Sequence, residues 1–182
     1  MKKRVTRRPA GDLLDGRIGE AWSGVAPNGS HINVVLGRRG SPTAAAIAGA
    51  LATPRPGHVP FLACIEPGRV VRPITVVVNK SSLGEPTLDR ITWGATQLGI
   101  AQGVLDAVAD GVLPAAEVDS LVLLVAVWVD PKAHQEATVK AANRAAMRAA
   151  LADAVATRTV KEIKALAARR EKASSPYYGG GG

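Results

Sequence analysis

Leu121-Val122-Leu123-Leu124-Val125-Ala126-Val127-Trp128-Val129 runs for nine residues without a charge, a glycine or a proline. A run of this length, rich in β-branched residues, reads as a strand inside a sheet, buried on both faces. It therefore calls for helices to cover that sheet, and the chain on either side supplies them. Downstream, residues 132–172 are alanine-rich, charged and helical in pattern, with an interruption at Thr157-Arg158-Thr159. Upstream, Gly111 and Pro114 end a helix that Gly84 and Pro86 introduce and that extends to about Ala109. Its positions Leu88, Ile91, Ala95, Leu98, Leu105 and Val108 keep helical spacing, with Gln102 as the polar exception. Gly94, Gly99 and Gly103 inside that helix predict close packing of a sheet, a subunit or a ligand against it.

Further upstream, apolar segments at 59–65 and 71–79 predict two strands. Ser41 is a good N-cap and Pro42 a good first residue for an alanine-rich helix over 42–52, which Thr53-Pro54-Arg55-Pro56-Gly57 ends. A strand at 31–36 precedes it. Pro27-Asn28-Gly29 makes a turn back to a short strand between Arg17 and Gly24. The order is strand, strand, helix, two strands, helix, strand, helix, which predicts an α+β two-layer sandwich with helices packed on a mixed sheet. Residues 1–16 read as a basic arm, 17–156 as the folded domain, and 157–182 as a basic helical extension with a tail of Tyr177-Tyr178 and four glycines.

The chain has 182 residues, enough for one sizeable core. Aromatic residues make up only 3%, so little surface is available for stacking bases. The net charge of +8 belongs to the ends, because residues 18–131 hold 7 basic and 9 acidic side chains. Basic ends can bind nucleic acid weakly, but here they read first as a solvated surface. The single cysteine, Cys64, sits in the apolar run Phe61-Leu62-Ala63-Cys64-Ile65, which argues for an inert thiol and a reducing, cytoplasmic setting. No pairing of cysteine and histidine offers a zinc site. No apolar run reaches membrane-spanning length, and the basic residues after Met1 lead into no signal-like apolar segment.

One histidine stands where chemistry is possible. Ser30-His31-Ile32-Asn33-Val34-Val35-Leu36-Gly37-Arg38-Arg39-Gly40-Ser41-Pro42 carries it from a strand into a tight turn and a helix start. Imidazole gives and takes protons near neutral pH, and strand alternation puts His31 and Asn33 on the same face. From the strand alone His31 is equally a polar residue capping a strand end. Lys80 at the end of the 71–79 strand reads as a solvated charge or as a ligand contact. Gln97 is either a helix-packing residue or a polar contact for a ligand. The turn from Gly37 to Pro42 can cradle an anion with Arg38 or Arg39, or simply enter a helix.

Four segments in fixed order are more specific than any one of them. They are Gly19-Glu20-Ala21 with His31-Ile32-Asn33 and Gly37-Arg38-Arg39-Gly40-Ser41-Pro42; Leu62-Ala63-Cys64-Ile65-Glu66-Pro67; Asn79-Lys80-Ser81-Ser82; and Trp93-Gly94-Ala95-Thr96-Gln97-Leu98-Gly99-Ile100-Ala101 with Asp106 to Pro114. Over roughly residues 17–150 this set resembles the formaldehyde-activating enzyme family, without a gap between Gly19 and Gln97. The resemblance implies condensation of formaldehyde with tetrahydromethanopterin to methylene-tetrahydromethanopterin and water, with no metal. It implies a fold similar to the second domain of ribosomal protein S5, and a homopentamer with active sites between subunits.

By the same resemblance His31 takes the general-acid position. Asn33 falls where the family usually carries a substrate-binding aspartate. Leu62, Lys80, Ser82 and Gln97 fall on pterin-contacting positions, Ser82 in place of a threonine. Asparagine still accepts a hydrogen bond but brings no charge to hold a histidinium or the donor edge of a pterin. A pterin or one-carbon carrier without turnover is the alternative function that Asn33 and Ser82 suggest.

Overall fold

A computed structural model of the protein describes residues 13–173. Of the arm expected over residues 1–16, residues 1–12 lie outside the described residues, as does the tail from residue 174 with Tyr177-Tyr178. Five strands form one mixed sheet in the order β1-β2-β7-β6-β3. They are β1 (Ile18–Ser23), β2 (Ser30–Arg38), β3 (Phe61–Leu62), β6 (Ile74–Asn79) and β7 (Leu121–Val129). β7 is central, antiparallel to β2 and parallel to β6. A small ribbon of β4 (Cys64–Glu66) and β5 (Arg69–Val70) lies outside that sheet.

The helices are α1 (Pro42–Ala52), α2 (Pro86–Ile91), α3 (Gln97–Ala109), α4 (Glu136–Val155) and α5 (Val160–Ala168). The helix expected over 86–109 is therefore not continuous, because a π-helical segment, Thr92–Thr96, joins α2 to α3. The wider turn buries Thr92, Ala95 and Thr96 and turns Trp93 outward, where its ring packs on Phe61 at 4.6 Å. The strand expected at 59–65 divides into β3 and β4, and the strand expected from 71 starts only at Ile74. Ala63 lies at that division: its N–H donates to Thr75 and its carbonyl accepts from Val71. The break expected near Thr157 falls between α4 and α5, where Thr159 and Glu162 make a reciprocal cap.

One face of the sheet is covered by α3 and α4. Ile32, Val34 and Leu36 of β2 and Leu121, Leu123, Val125, Val127 and Val129 of β7 point into this layer, each at most 3% exposed. Very close approach is required here. A Cβ on Gly19 of β1 would overlap Ala150 and Ala154 of α4, and a Cβ on Gly103 of α3 would come within 2.6 Å of the Met147 Cβ. Close packing occurs at Gly99 and Gly103, but against α4 and not against the expected sheet, subunit or ligand, whereas Gly94 faces open space.

The expectation that β7 is buried on both faces is corrected. Val122, Leu124, Ala126 and Trp128 are only half-buried, in strict alternation with the fully buried set. An unbroken apolar run shows that both faces avoid water, but not how fully each is covered. On this second face α1 lies over one end, where Gly37 meets Ala44 and a groove runs between Ile47, Ala48, Leu51 and Leu62, Ile74, Val76, Val122. Among the described residues no helix covers the other end, and His31 lies there.

Candidate active site

Strand register builds the site. On β1 and β2, Trp22 stands opposite His31 and Glu20 opposite Asn33; on β7, Trp128 stands opposite His31 and Ala126 opposite Asn33. All six share the uncovered face, because side chains alternate along each strand. Lys80 extends β6 by one residue, its N–H donating to the Val127 carbonyl at 2.7 Å. That extension directs its side chain to the same face as Val78.

The side chains then converge. The Lys80 ammonium donates to His31 Nδ1 at 2.9 Å and to Asn33 Oδ1 at 2.5 Å. On the other side of the ring, His31 Nε2 lies 2.6 Å from Glu20 Oε1. With Nδ1 accepting from an ammonium, the neutral ring carries its proton on Nε2 and donates it to the Glu20 carboxylate. The imidazole is thus held between a cation and an anion. It remains reachable, with 26% of its side chain exposed. Burial pushes the Lys80 ammonium below its ordinary pKa, and the Glu20 carboxylate opposes that shift.

Two aromatic rings and one helix steady the cluster. Trp22 and Trp128 stack at 5.3 Å, and Trp22 lies 5.9 Å from the His31 ring. From behind, α4 fixes the strands: Asp153 accepts from the Glu20 N–H at 3.1 Å, and Asn143 Oδ1 accepts from the Ser30 hydroxyl at 2.8 Å. Both of those strand residues flank or oppose the reacting side chains.

The remaining sequence-derived positions lie elsewhere on the subunit. Leu62 lines the α1 groove, with the strands β6 and β7 between it and β2. Ser82 is exposed and packs against Gly57. Gln97 begins α3 and donates to the Trp93 carbonyl at 3.2 Å. The structure therefore brings His31, Asn33 and Lys80 into contact, and the contacts of Leu62, Ser82 and Gln97 are with other groups.

The formaldehyde-activating enzyme model matches residues 18–178, from the first strand past α5. The chain belongs to that family. A relative named 5,6,7,8-tetrahydromethanopterin hydro-lyase, from Methanosarcina barkeri, is 36% identical over 91% of this chain and 92% of its own length. Two bifunctional Fae/Hps enzymes are also similar. The one from Archaeoglobus fulgidus is 27% identical over 91% of this chain, and the one from Methanothrix thermoacetophila is 34% identical over 64%. This chain spans 42% and 30% of those longer proteins.

In the sequence Glu20 stands out only as part of a motif, and Trp22 and Trp128 do not stand out at all. Their signal was the alternation Glu20-Ala21-Trp22 against His31-Ile32-Asn33. It becomes readable only once the pairing register of β1 and β2 is known.

Proposed function

We propose that the protein condenses formaldehyde with 5,6,7,8-tetrahydromethanopterin, giving 5,10-methylenetetrahydromethanopterin and water. The observation that carries this reading is the His31 imidazole held between Lys80 and Glu20 on an open sheet face, in a chain so similar to a hydro-lyase over nearly its whole length. Addition of an amine to formaldehyde gives a carbinolamine, whose hydroxide leaves poorly. Protonation by His31 lets water depart, and the second pterin nitrogen captures the resulting iminium. Proton donation of this kind contributes about 10²–10⁴-fold in rate. Holding the nitrogens and the one-carbon unit together adds a proximity contribution.

In this reading Asn33 and Lys80 bind substrate beside His31, Lys80 contacting the pterin there, while Leu62, Ser82 and Gln97 form a separate group that contacts the pterin as well. The separation of the two groups in one subunit supports a site completed by a second copy, as in a homopentamer with sites between subunits. The fold is read as similar to the second domain of ribosomal protein S5. The working unit is read as residues 17–156, with 1–16 and 157–182 as basic appendages. The proposed chemistry draws on protons and needs no metal, and the low cysteine usage suits a cytoplasmic setting. Among the described residues, no helix is long and apolar enough to cross a membrane.

The test is formaldehyde consumption with and without tetrahydromethanopterin, measured against the uncatalysed condensation. Wild type should exceed the uncatalysed rate, and His31→Ala should lose about 10²–10⁴-fold of the enzymatic excess. A wild type no faster than the uncatalysed reaction overturns the reading, and pterin binding without turnover would mark a carrier instead.

A further inference from the structure

Lys80 is placed unlike a solvated or ion-paired lysine. The two groups within hydrogen-bond distance of its Nζ, Asn33 Oδ1 at 2.5 Å and His31 Nδ1 at 2.9 Å, are an amide and an imidazole, and neither is a carboxylate. A carboxylate in place of the Asn33 amide would hold the ammonium by charge, whereas an amide supplies only a dipole. The Glu20 carboxylate acts on Lys80 through space while its own oxygen engages the far side of the imidazole. An imidazole nitrogen at hydrogen-bond distance is a base able to take the ammonium proton.

We propose that Lys80 is a nucleophile that takes up formaldehyde covalently as a methylene-iminium and passes the carbon to the amine substrate. The proposal rests on formaldehyde being the substrate, as read above. His31 Nδ1 first accepts a proton from the Lys80 ammonium. The free amine attacks the aldehyde carbon, the carbon–oxygen π bond breaks, and a proton shift from nitrogen to oxygen gives the carbinolamine. His31 then returns its proton to that oxygen, the carbon–oxygen bond breaks, water leaves and Lys80 N=CH₂⁺ remains. A pterin nitrogen adds to the methylene carbon, and the Lys80 amine departs with its electron pair. The second pterin nitrogen closes the bridge, and the protons released from the two nitrogens restore the Lys80 ammonium. No oxidant or reductant enters the balance.

Half-burial supports this role by favouring the uncharged amine, which is the form that makes Schiff bases. Lys132, Lys161, Lys164 and Lys172 are exposed and provide internal references.

The test traps the iminium. The full-length protein is treated with limiting formaldehyde and cyanoborohydride, without pterin, and each lysine is followed by peptide mass spectrometry for one added methyl group. Lys80 should be modified faster than the exposed lysines by about tenfold or more, and Asn33→Asp should remove that advantage. Modification of Lys80 at or below the rate of the exposed lysines overturns the proposal. A Lys80 advantage that survives Asn33→Asp upholds the nucleophile and overturns the part assigned to Asn33. The wild-type chain carries the main result, so a variant that fails to fold does not decide it. Because no pterin is present, trapping can fail while the condensation assay succeeds, which would leave His31 acting on substrate directly.

Discussion

The two faces of the sheet are made by alternate residues of the same strands, yet they do opposite work. On β2, Ile32, Val34 and Leu36 are fully buried beneath the helices, while His31 and Asn33, which alternate with them, meet Lys80, and His31 also meets Glu20. The covered face has no room, as the contacts of Gly19 and Gly103 with α4 show. Among the described residues the other face is covered by α1 at one end only, and it keeps reactive side chains within reach of solvent. A strand fixed from one side can thus hold an imidazole steady on the other without burying it. Stability and chemistry occupy separate faces because the side-chain period of a strand is two.

The sharpest way to break this comparison is a pair of truncations, one on each face. Leu123→Ala removes a fully buried side chain and should cost about 2–5 kcal/mol in urea unfolding. His31→Ala, on the open face, should shift stability by no more than about 1 kcal/mol while it removes activity. Equal losses of stability would show that the two faces are not energetically distinct.

A smaller effect sharpens the electrostatics of the open face. The Glu20 carboxylate holds up the Lys80 ammonium, so Glu20→Gln should let Lys80 lose its proton more readily. The pH profile of Lys80 methylation should then move to lower pH, and an unmoved or raised profile would contradict the coupling.

The smallest effect lies where α1 closes the other end of the face. Ser41 Oγ accepts from the Ala44 N–H at 3.1 Å and donates to Asp15 at 2.6 Å, so Ser41→Ala should cost about 1 kcal/mol in urea unfolding. The Ser41 hydroxyl, then the Arg38 N–H, hold the Asp15 carboxyl below its ordinary pKa. This stabilisation is fully present above the ordinary carboxylate range and is lost as the pH falls through the lowered value. Ser41→Ala should therefore flatten the acid limb of the stability profile. An unchanged acid limb would assign that limb to other carboxylates.

Much of this arrangement was legible in the chain. Ser41-Pro42 marks the start of α1, and the apolar run at 121–129 marks the central strand. Gly99 and Gly103 announce a close contact, although the partner is the helix α4 and not the sheet, subunit or ligand that the pattern suggested. The ordered motifs around His31, Lys80 and Gln97 led to the family. Local signals were weaker at Thr92–Thr96, where helical propensity does not register a π turn, and at Ala63, where one apolar run serves two strands. Glu20 escaped because an acidic residue on a short strand reads as solvated until its cross-strand partner is known.

The sequence by itself determined the main strands and helices and the family, since periodicity, caps and motif spacing are local properties of a chain. Only the tertiary structure decided that Lys80, His31 and Glu20 form one line of contacts, and that the face bearing them stays open. Those facts depend on strand register and on where α1 ends over the sheet. Such facts rest on contacts between residues far apart in the chain, such as the Glu20 N–H donating to Asp153, which no local pattern records.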